Sequence, residues 1–202
     1  RGGRFSRTLF YGLQIWLKRR LLTPVTMQDV DEAAGFAAAH GVPFNRKGWE
    51  YIVREHRGLL PVEIRAVPEG MVIPTHNVLA TVVNTDPNVP WLTSFLETAL
   101  LRAIHYPTTV ATLSWHAKQI IRAALVKSSE NPEAELLFRL HDFGARGVSS
   151  DESAQLGGSA HLVNFRGTDT VAGILAARRY YNEPMAGFSI PAAEHSTITS
   201  WG

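Results

Sequence analysis

Leu140-His141-Asp142-Phe143-Gly144-Ala145-Arg146-Gly147, followed by Val148-Ser149-Ser150, decides how this chain is read. A short apolar run, Leu136 to Leu140, stops abruptly at an imidazole, an acid, an aromatic ring, glycines and a guanidinium. An apolar strand needs none of those groups at its end for stability. Gly144 and Gly147 let the backbone turn tightly and admit a ligand closely. Phe143 offers a flat face, and Arg146 a planar, permanently charged fork suited to phosphate or carboxylate. Ser149 or Ser150 can N-cap the next helix. A site at the carboxyl end of a strand in an α/β protein has this composition.

The arrangement recurs downstream. A helix is predicted from about Asp151 to Leu162, then a short strand at Val163-Asn164-Phe165 ending in Arg166, Gly167, Thr168 and Asp169. Thr170 caps a helix from Val171 to Tyr181. Gly187 to Pro191 reads as a third strand, bearing Ser189 and Ile190, with Glu194, His195 and Ser196 opening the last helix. Strand and helix thus alternate from Leu136 onward, which predicts a parallel sheet or barrel. In a barrel the strand ends converge on one face, so distant residues line one pocket.

Working outward, the first part of the chain has a different character. Phe10, Leu13, Leu17 and Leu21 recur at helical spacing, with Lys18, Arg19 and Arg20 in the last turn, where cations are favoured. Thr26 and Asp29 form a capping-box pattern for a helix from Met27 to His40, closed by Gly41. Asn45 can cap a helix carrying Trp49, Ile52 and Val53. Val62 to Ala66, Met71 to Ile73 and Val78 to Val83 read as strands of a small antiparallel unit, with His76 a polar turn residue between them. Two apolar helices are expected on either side of a break at Tyr106-Pro107, carrying His105 and His116 as packing or surface residues. Ser128-Ser129-Glu130-Asn131-Pro132 is the boundary candidate, giving domains at residues 1–130 and 131–202.

Composition narrows the classes. With 202 residues, 45% of them apolar, the chain can bury a sizeable core. Formal net charge is +2 and the charges are interspersed, so no basic stripe points to nucleic acid. No apolar run approaches membrane-spanning length, and no signal peptide is evident. The chain has no cysteine, which excludes disulfides, thiolate metal sites and a cysteine nucleophile and fits a reducing, cytoplasmic setting. Both ends read as cut, as in a segment of a longer protein.

Each candidate has a plainer reading beside the sharper one. Asp169 before a helix is either an acid favoured by the helix dipole or a pocket carboxylate that accepts hydrogen bonds from an amide. His195 is either a structural histidine or one whose ring Glu194 orients. His141, Asp142, Asp169 and His195 could ligate a metal, although no helical His-x-x-x-His spacing supports it. Ser149, Ser196 and His195 lack the Gly-x-Ser-x-Gly elbow of a hydrolase. Spacing alone yields an α/β enzyme for an aromatic, anionic ligand, with the reaction unnamed.

Longer runs carry a resemblance. Phe10-Tyr11-Gly12-Leu13-Gln14, Ala66-Val67-Pro68-Glu69-Gly70, Asn84-Thr85-Asp86-Pro87, Leu140 to Ser150, Ala160 to Thr170 and Pro191 to Thr199 are similar, in the same order, to the nicotinamide phosphoribosyltransferase family. The resemblance implies a type II phosphoribosyltransferase fold of α/β class. That fold has a mixed α+β N-terminal domain followed by an irregular α/β barrel, of which this chain holds the first part. It implies transfer of 5-phosphoribosyl from 5-phosphoribosyl-1-pyrophosphate (PRPP) to nicotinamide, with magnesium assisting and ATP hydrolysis coupled through a phosphohistidine. It also implies a homodimer with its active sites at the subunit interface.

By the same resemblance Phe143 stacks on the nicotinamide ring and Arg146 engages the phosphate or ribose side. Asp169 receives the carboxamide, His195 is phosphorylated, Ser189 and Ile190 line the pocket, and His141 lines the tunnel leading from it. Ala145 and Phe138 depart from the residues familiar at those positions. Two other readings remain: a nicotinate phosphoribosyltransferase or other type II relative, and a non-catalytic dimerisation fragment.

Overall fold

The computed structural model describes residues 3–202, which form two compact units, one reaching to His105 and the other Tyr106–Gly202. The division falls inside one long helix, whereas the change in composition comes later, at residues 128–132.

The first unit opens with strand β1 (Arg7–Leu9), and helix α1 (Leu13–Trp16) runs on into a π-helical turn at Leu17–Leu21. The expected helix from Phe10 therefore starts later, because Arg7–Leu9 is taken up by antiparallel pairing with β3 (Val72–Pro74). Glu69 accepts from the Gln14 N–H at 2.8 Å and so serves an otherwise uncapped helix start. Helix α2 (Met27–His40) has the predicted capping box between Thr26 and Asp29 and ends at Gly41 in the left-handed region. Asn45 caps α3 (Arg46–Glu55) through the Gly48 N–H.

Strands β2 (Val62–Ala66) and β4 (Ala80–Asn84) pair antiparallel, with Val62 opposite Asn84 and Ala66 opposite Ala80. The expected three-stranded unit is instead two separate ribbons, β1–β3 and β2–β4. The core gathers Val30, Trp49, Ile52, Val89, Leu92 and Leu96. Trp49 meets the edges of Trp91 and Phe95 with centroids 5.0 Å apart in each case, a favoured aromatic geometry.

Helix α4 (Leu92–Ser128) carries Pro107 in its interior, where a break was expected. Proline forgoes one N–H bond to the carbonyl four residues earlier. The apolar pattern continues on both sides, with Ala103 and Ala111 buried, and the helix runs through.

The second unit follows with α5 (Pro132–Leu136), the short strand β5 (His141–Asp142) and a 3₁₀ turn at Gly144–Gly147. Helix α6 (Asp151–His161), strand β6 (Gly167–Thr168), α7 (Val171–Tyr181) and α8 (His195–Ser200) complete it. Leu136 to Leu140 is thus not a strand. Pro132 occupies the first turn of a helix, a position it favours, and Leu136 packs against Leu125 and Phe165. Val163-Asn164-Phe165 is a turn, closed by bonds from the Asn164 and Phe165 N–H groups to the His161 carbonyl at 3.0 and 3.2 Å. The strand starts four residues later than expected, at Gly167. Gly187 to Pro191 contributes one bridge residue, Phe188.

Helices α6 and α7 pack backbone to backbone at Gly158 and Gly173. A Cβ on Gly173 would stand 2.6 Å from the Gly158 carbonyl carbon. This contact fixes α7, and with it the end of β6 that feeds it.

Candidate active site

β5 and β6 pair in parallel, His141 beside Gly167 and Asp142 beside Thr168, and Phe188 bridges Gly167 in parallel on the next position. The bonds are short and regular: Phe188 N–H to Arg166 carbonyl 2.7 Å, Thr168 N–H to Phe188 carbonyl 2.9 Å, and Asp169 N–H to Asp142 carbonyl 2.9 Å. Three strand ends therefore open side by side, as the alternation of elements predicts.

Asp169 stands at the centre. Its Oδ2 lies 2.7 Å from His141 Nε2, and its Oδ1 accepts from the Ser189 hydroxyl at 2.6 Å. Residues 141, 169 and 189 come from the three different strand ends. Ser189 and, after it, His141 hold the Asp169 carboxyl below the usual carboxylate range, so it is ionised at neutral pH. An ionised acceptor requires the hydrogen of His141 to sit on Nε2. The Asp169 side chain is still 40% exposed and can receive a further donor.

Phe143 follows directly. Its ring lies 4.4 Å from that of His141, centroid to centroid, tilted by 38°. It is 56% exposed and presents a free face. Asp142 is used structurally: Oδ1 accepts from the Gly144 N–H at 2.8 Å and Oδ2 from the Thr168 hydroxyl at 3.3 Å, which shapes the turn and ties it to β6.

Arg146 lies in the 3₁₀ turn, exposed, its side chain without a hydrogen bond or ion pair among the described residues. His195 opens α8, with Nδ1 2.6 Å from Glu194 Oε1 and its side chain 82% exposed. Neither residue bonds to the Asp169 cluster. Ile190 adjoins Ser189, half-buried.

Behind the turn is a cavity of about 310 Å³ lined by Tyr106, His141, Asp142, His161 and Thr170, among others; of the residues that the resemblance gives a role, only His141 lines it.

Comparison with known proteins finds relatives along the whole chain. A family model described as "Nicotinamide phosphoribosyltransferase, N-terminal domain" matches residues 1–64, and one described as "Nicotinate phosphoribosyltransferase (NAPRTase) family" matches residues 138–202. The chain is 59% identical over its whole length to a protein of Xanthomonas campestris pv. campestris named nicotinamide phosphoribosyltransferase, covering 43% of it. Over its whole length this chain is similar to the nicotinamide phosphoribosyltransferase family. A protein of the same name from Acinetobacter baylyi is 36% identical over 70% of this chain, which spans 28% of that relative. The chain thus spans less than half the length of these relatives. A solved structure of human nicotinic acid phosphoribosyltransferase superposes over 96% of this chain and 33% of its own, with a TM-score of 0.60. At 21% identity that likeness concerns the fold, which is of the type II phosphoribosyltransferase kind.

The sequence reading missed His161. The ring is buried between Ser114 Oγ, 3.2 Å from Nδ1, and the Gly167 carbonyl, 3.2 Å from Nε2, and it stacks on Phe165. Its position at the end of an apolar helix face was the available signal. Burial pushes its pKa below the ordinary histidine value. Among the described residues, no three of His, Asp or Glu stand together as a metal site. Asp142 and Asp169 already accept from protein donors. The residues present do not make a magnesium site by themselves.

Proposed function

We propose that the protein containing this chain transfers 5-phosphoribosyl from PRPP to nicotinamide, releasing nicotinamide mononucleotide and pyrophosphate. The observation that carries this reading is the ionised Asp169 at the meeting of three strand ends, beside the open face of Phe143. A carboxylate there accepts from the NH₂ of a carboxamide. It repels the carboxylate of nicotinate, since like charges oppose one another at close range. The nicotinate reading has support in the family model covering residues 138–202, and Asp169 argues against it.

The residues divide the work. Phe143 holds the flat pyridine so that its ring nitrogen faces the anomeric carbon. Charge develops on the ribose as pyrophosphate departs, and the Arg146 side chain, unpaired among the described residues, meets the anionic end. Ser189 and Ile190 complete the pocket wall. The exposed face of Phe143 supports a homodimer in which the partner subunit closes the other side of the base. Exposed Leu113 and Ile120 on α4 leave apolar surface for such a partner. Nothing in the chain calls for nucleic acid, and no helix of the described residues is long and apolar enough to cross a membrane; a cytoplasmic enzyme of NAD salvage is the setting we infer.

His195 is the residue we assign to phosphorylation by ATP. Glu194 beside Nδ1 places the hydrogen there and leaves Nε2 as an exposed, bare nucleophile. A phosphate-sized mass increase on the peptide carrying His195, absent from His195→Ala, is expected after exposure to ATP; its absence from the native protein rejects this role.

The test of the main reading is competition. Full-length protein with PRPP should form product from nicotinamide far faster than from nicotinate. Asp169→Ser should narrow the ratio of the two kcat/KM values by at least about tenfold. Equal use of both bases by the native protein, or an unchanged ratio in the variant, rejects it.

A further inference from the structure

The resemblance makes His141 a tunnel-lining group, yet its geometry is that of a support. Its side chain is 7% exposed, too enclosed to offer a ligand much surface. Nε2 is spent on Asp169 Oδ2 at 2.7 Å. Nδ1 is buried without any partner. A buried ring nitrogen left bare is a cost that the fold accepts. The return is visible on the other side of the ring.

Asp169 Oδ1 is held by Ser189 and Oδ2 by His141. One donor on each oxygen fixes both the direction and the plane of a carboxylate that is otherwise free to swing about its side-chain bonds. The same imidazole lies 4.4 Å from the Phe143 ring. His141 thus touches both the carboxylate and the aromatic ring whose open face is assigned to the base.

The seat of His141 has its own requirement. In the parallel register it stands beside Gly167. A Cβ at Gly167 would lie 2.7 Å from Nδ1, 3.4 Å from Cγ and 3.6 Å from the His141 Cα. Any side chain there drives the ring off its place, and a buried ring held by Asp169 and Phe143 cannot move alone.

We propose that His141, seated against Gly167, is a positioning residue that fixes the Asp169 carboxylate and the Phe143 ring, and so sets selectivity for a neutral carboxamide base. The proposal rests on the nicotinamide reading of the site.

The test uses the full-length protein with PRPP and either base. His141→Leu removes the donor, His141→Gln keeps an N–H at comparable reach, and Gly167→Ala leaves the histidine but displaces it. In His141→Leu and Gly167→Ala, KM for nicotinamide should rise about tenfold or more with a smaller change in kcat, and KM for PRPP should hold. The preference for nicotinamide over nicotinate should shrink in both, and His141→Gln should recover most of it. An unchanged KM and preference in His141→Leu overturns the proposal, as does a loss that falls equally on nicotinamide and PRPP. Should His141→Leu fail to fold, Gly167→Ala and His141→Gln decide, and identical base preference in native, Gly167→Ala and His141→Gln proteins overturns it. Failure of the native protein to make mononucleotide from nicotinamide rejects the functional reading instead, so the two failures are distinct.

Discussion

Phe143 shows how much one exposed aromatic ring can carry. More than half of it faces solvent, which costs hydrophobic stabilisation unless a ligand or a partner covers it. An offset aromatic contact contributes about 0.5–1.5 kcal/mol beyond area burial. Phe143→Ala should therefore raise KM for nicotinamide up to about tenfold while leaving KM for PRPP unchanged. Steady-state kinetics on the full-length protein check this, and a shift in the PRPP constant alone would show that the ring serves the other substrate. Asp142 teaches the reverse. It stands in the middle of the most reactive stretch, and its carboxylate oxygens accept from Gly144 and Thr168. Chemically attractive residues at a strand end divide into those that touch a ligand and those that hold the turn.

At the scale of elements, the β5–β6–Phe188 strip is short, and its position depends on the helices beside it. Gly158 and Gly173 allow α6 and α7 to meet backbone to backbone. Gly173→Ala places a methyl where the α6 backbone lies and should destabilise the unit by about 1–3 kcal/mol. Thermal or denaturant unfolding measures this. Activity should fall with it, since Asp169 lies between β6 and α7. If Gly173→Ala is as stable as the native protein, the helix contact is looser than the geometry states. The errors of the sequence reading also belong to this scale. Leu136 to Leu140 is apolar enough for a strand, but Pro132 and the acids Glu133 and Glu135 start a helix there. Pro107 looked like a stop and is carried within a helix of 37 residues.

For the molecule as a whole, acid stability should change in two windows. His161, buried and neutral, has a folded pKa below its ordinary value of 6.5. The unfolded chain takes up the proton first, so this contribution is complete above 6.5 and declines as pH falls through it. Asp86, in the first unit, accepts from the Asn88 N–H at 2.8 Å, from His56 at 2.7 Å and from Tyr51 at 2.9 Å. Those bonds hold its pKa at about 2, below the ordinary 3.8. Its contribution is present above 3.8 and is lost as pH falls toward 2. Melting curves across pH should show both declines. His161→Gln should flatten the first, and the gap between native protein and Asp86→Asn should narrow across the second. A first decline that persists in His161→Gln would place it on another group.

The sequence by itself determined the local devices and supplied the candidates for the site. Thr26 and Asp29 cap α2, Asn45 caps α3, Ser150 caps α6, and strand ends rich in His, Phe, Arg, Asp and Ser mark the chemistry. Each depends on residues only a few positions apart, where spacing dictates geometry. Tertiary structure alone decided the rest. The pairing of β1 with β3, the capping of α1 by Glu69 and the meeting of Asp169 with His141 and Ser189 join residues far apart in the chain. Periodicity records which face of an element is apolar, and it carries no information about which distant donor will reach a given acceptor. The stretch Leu140–Gly147 announced a site, and only the parallel register of His141 beside Gly167 shows what holds its carboxylate in place.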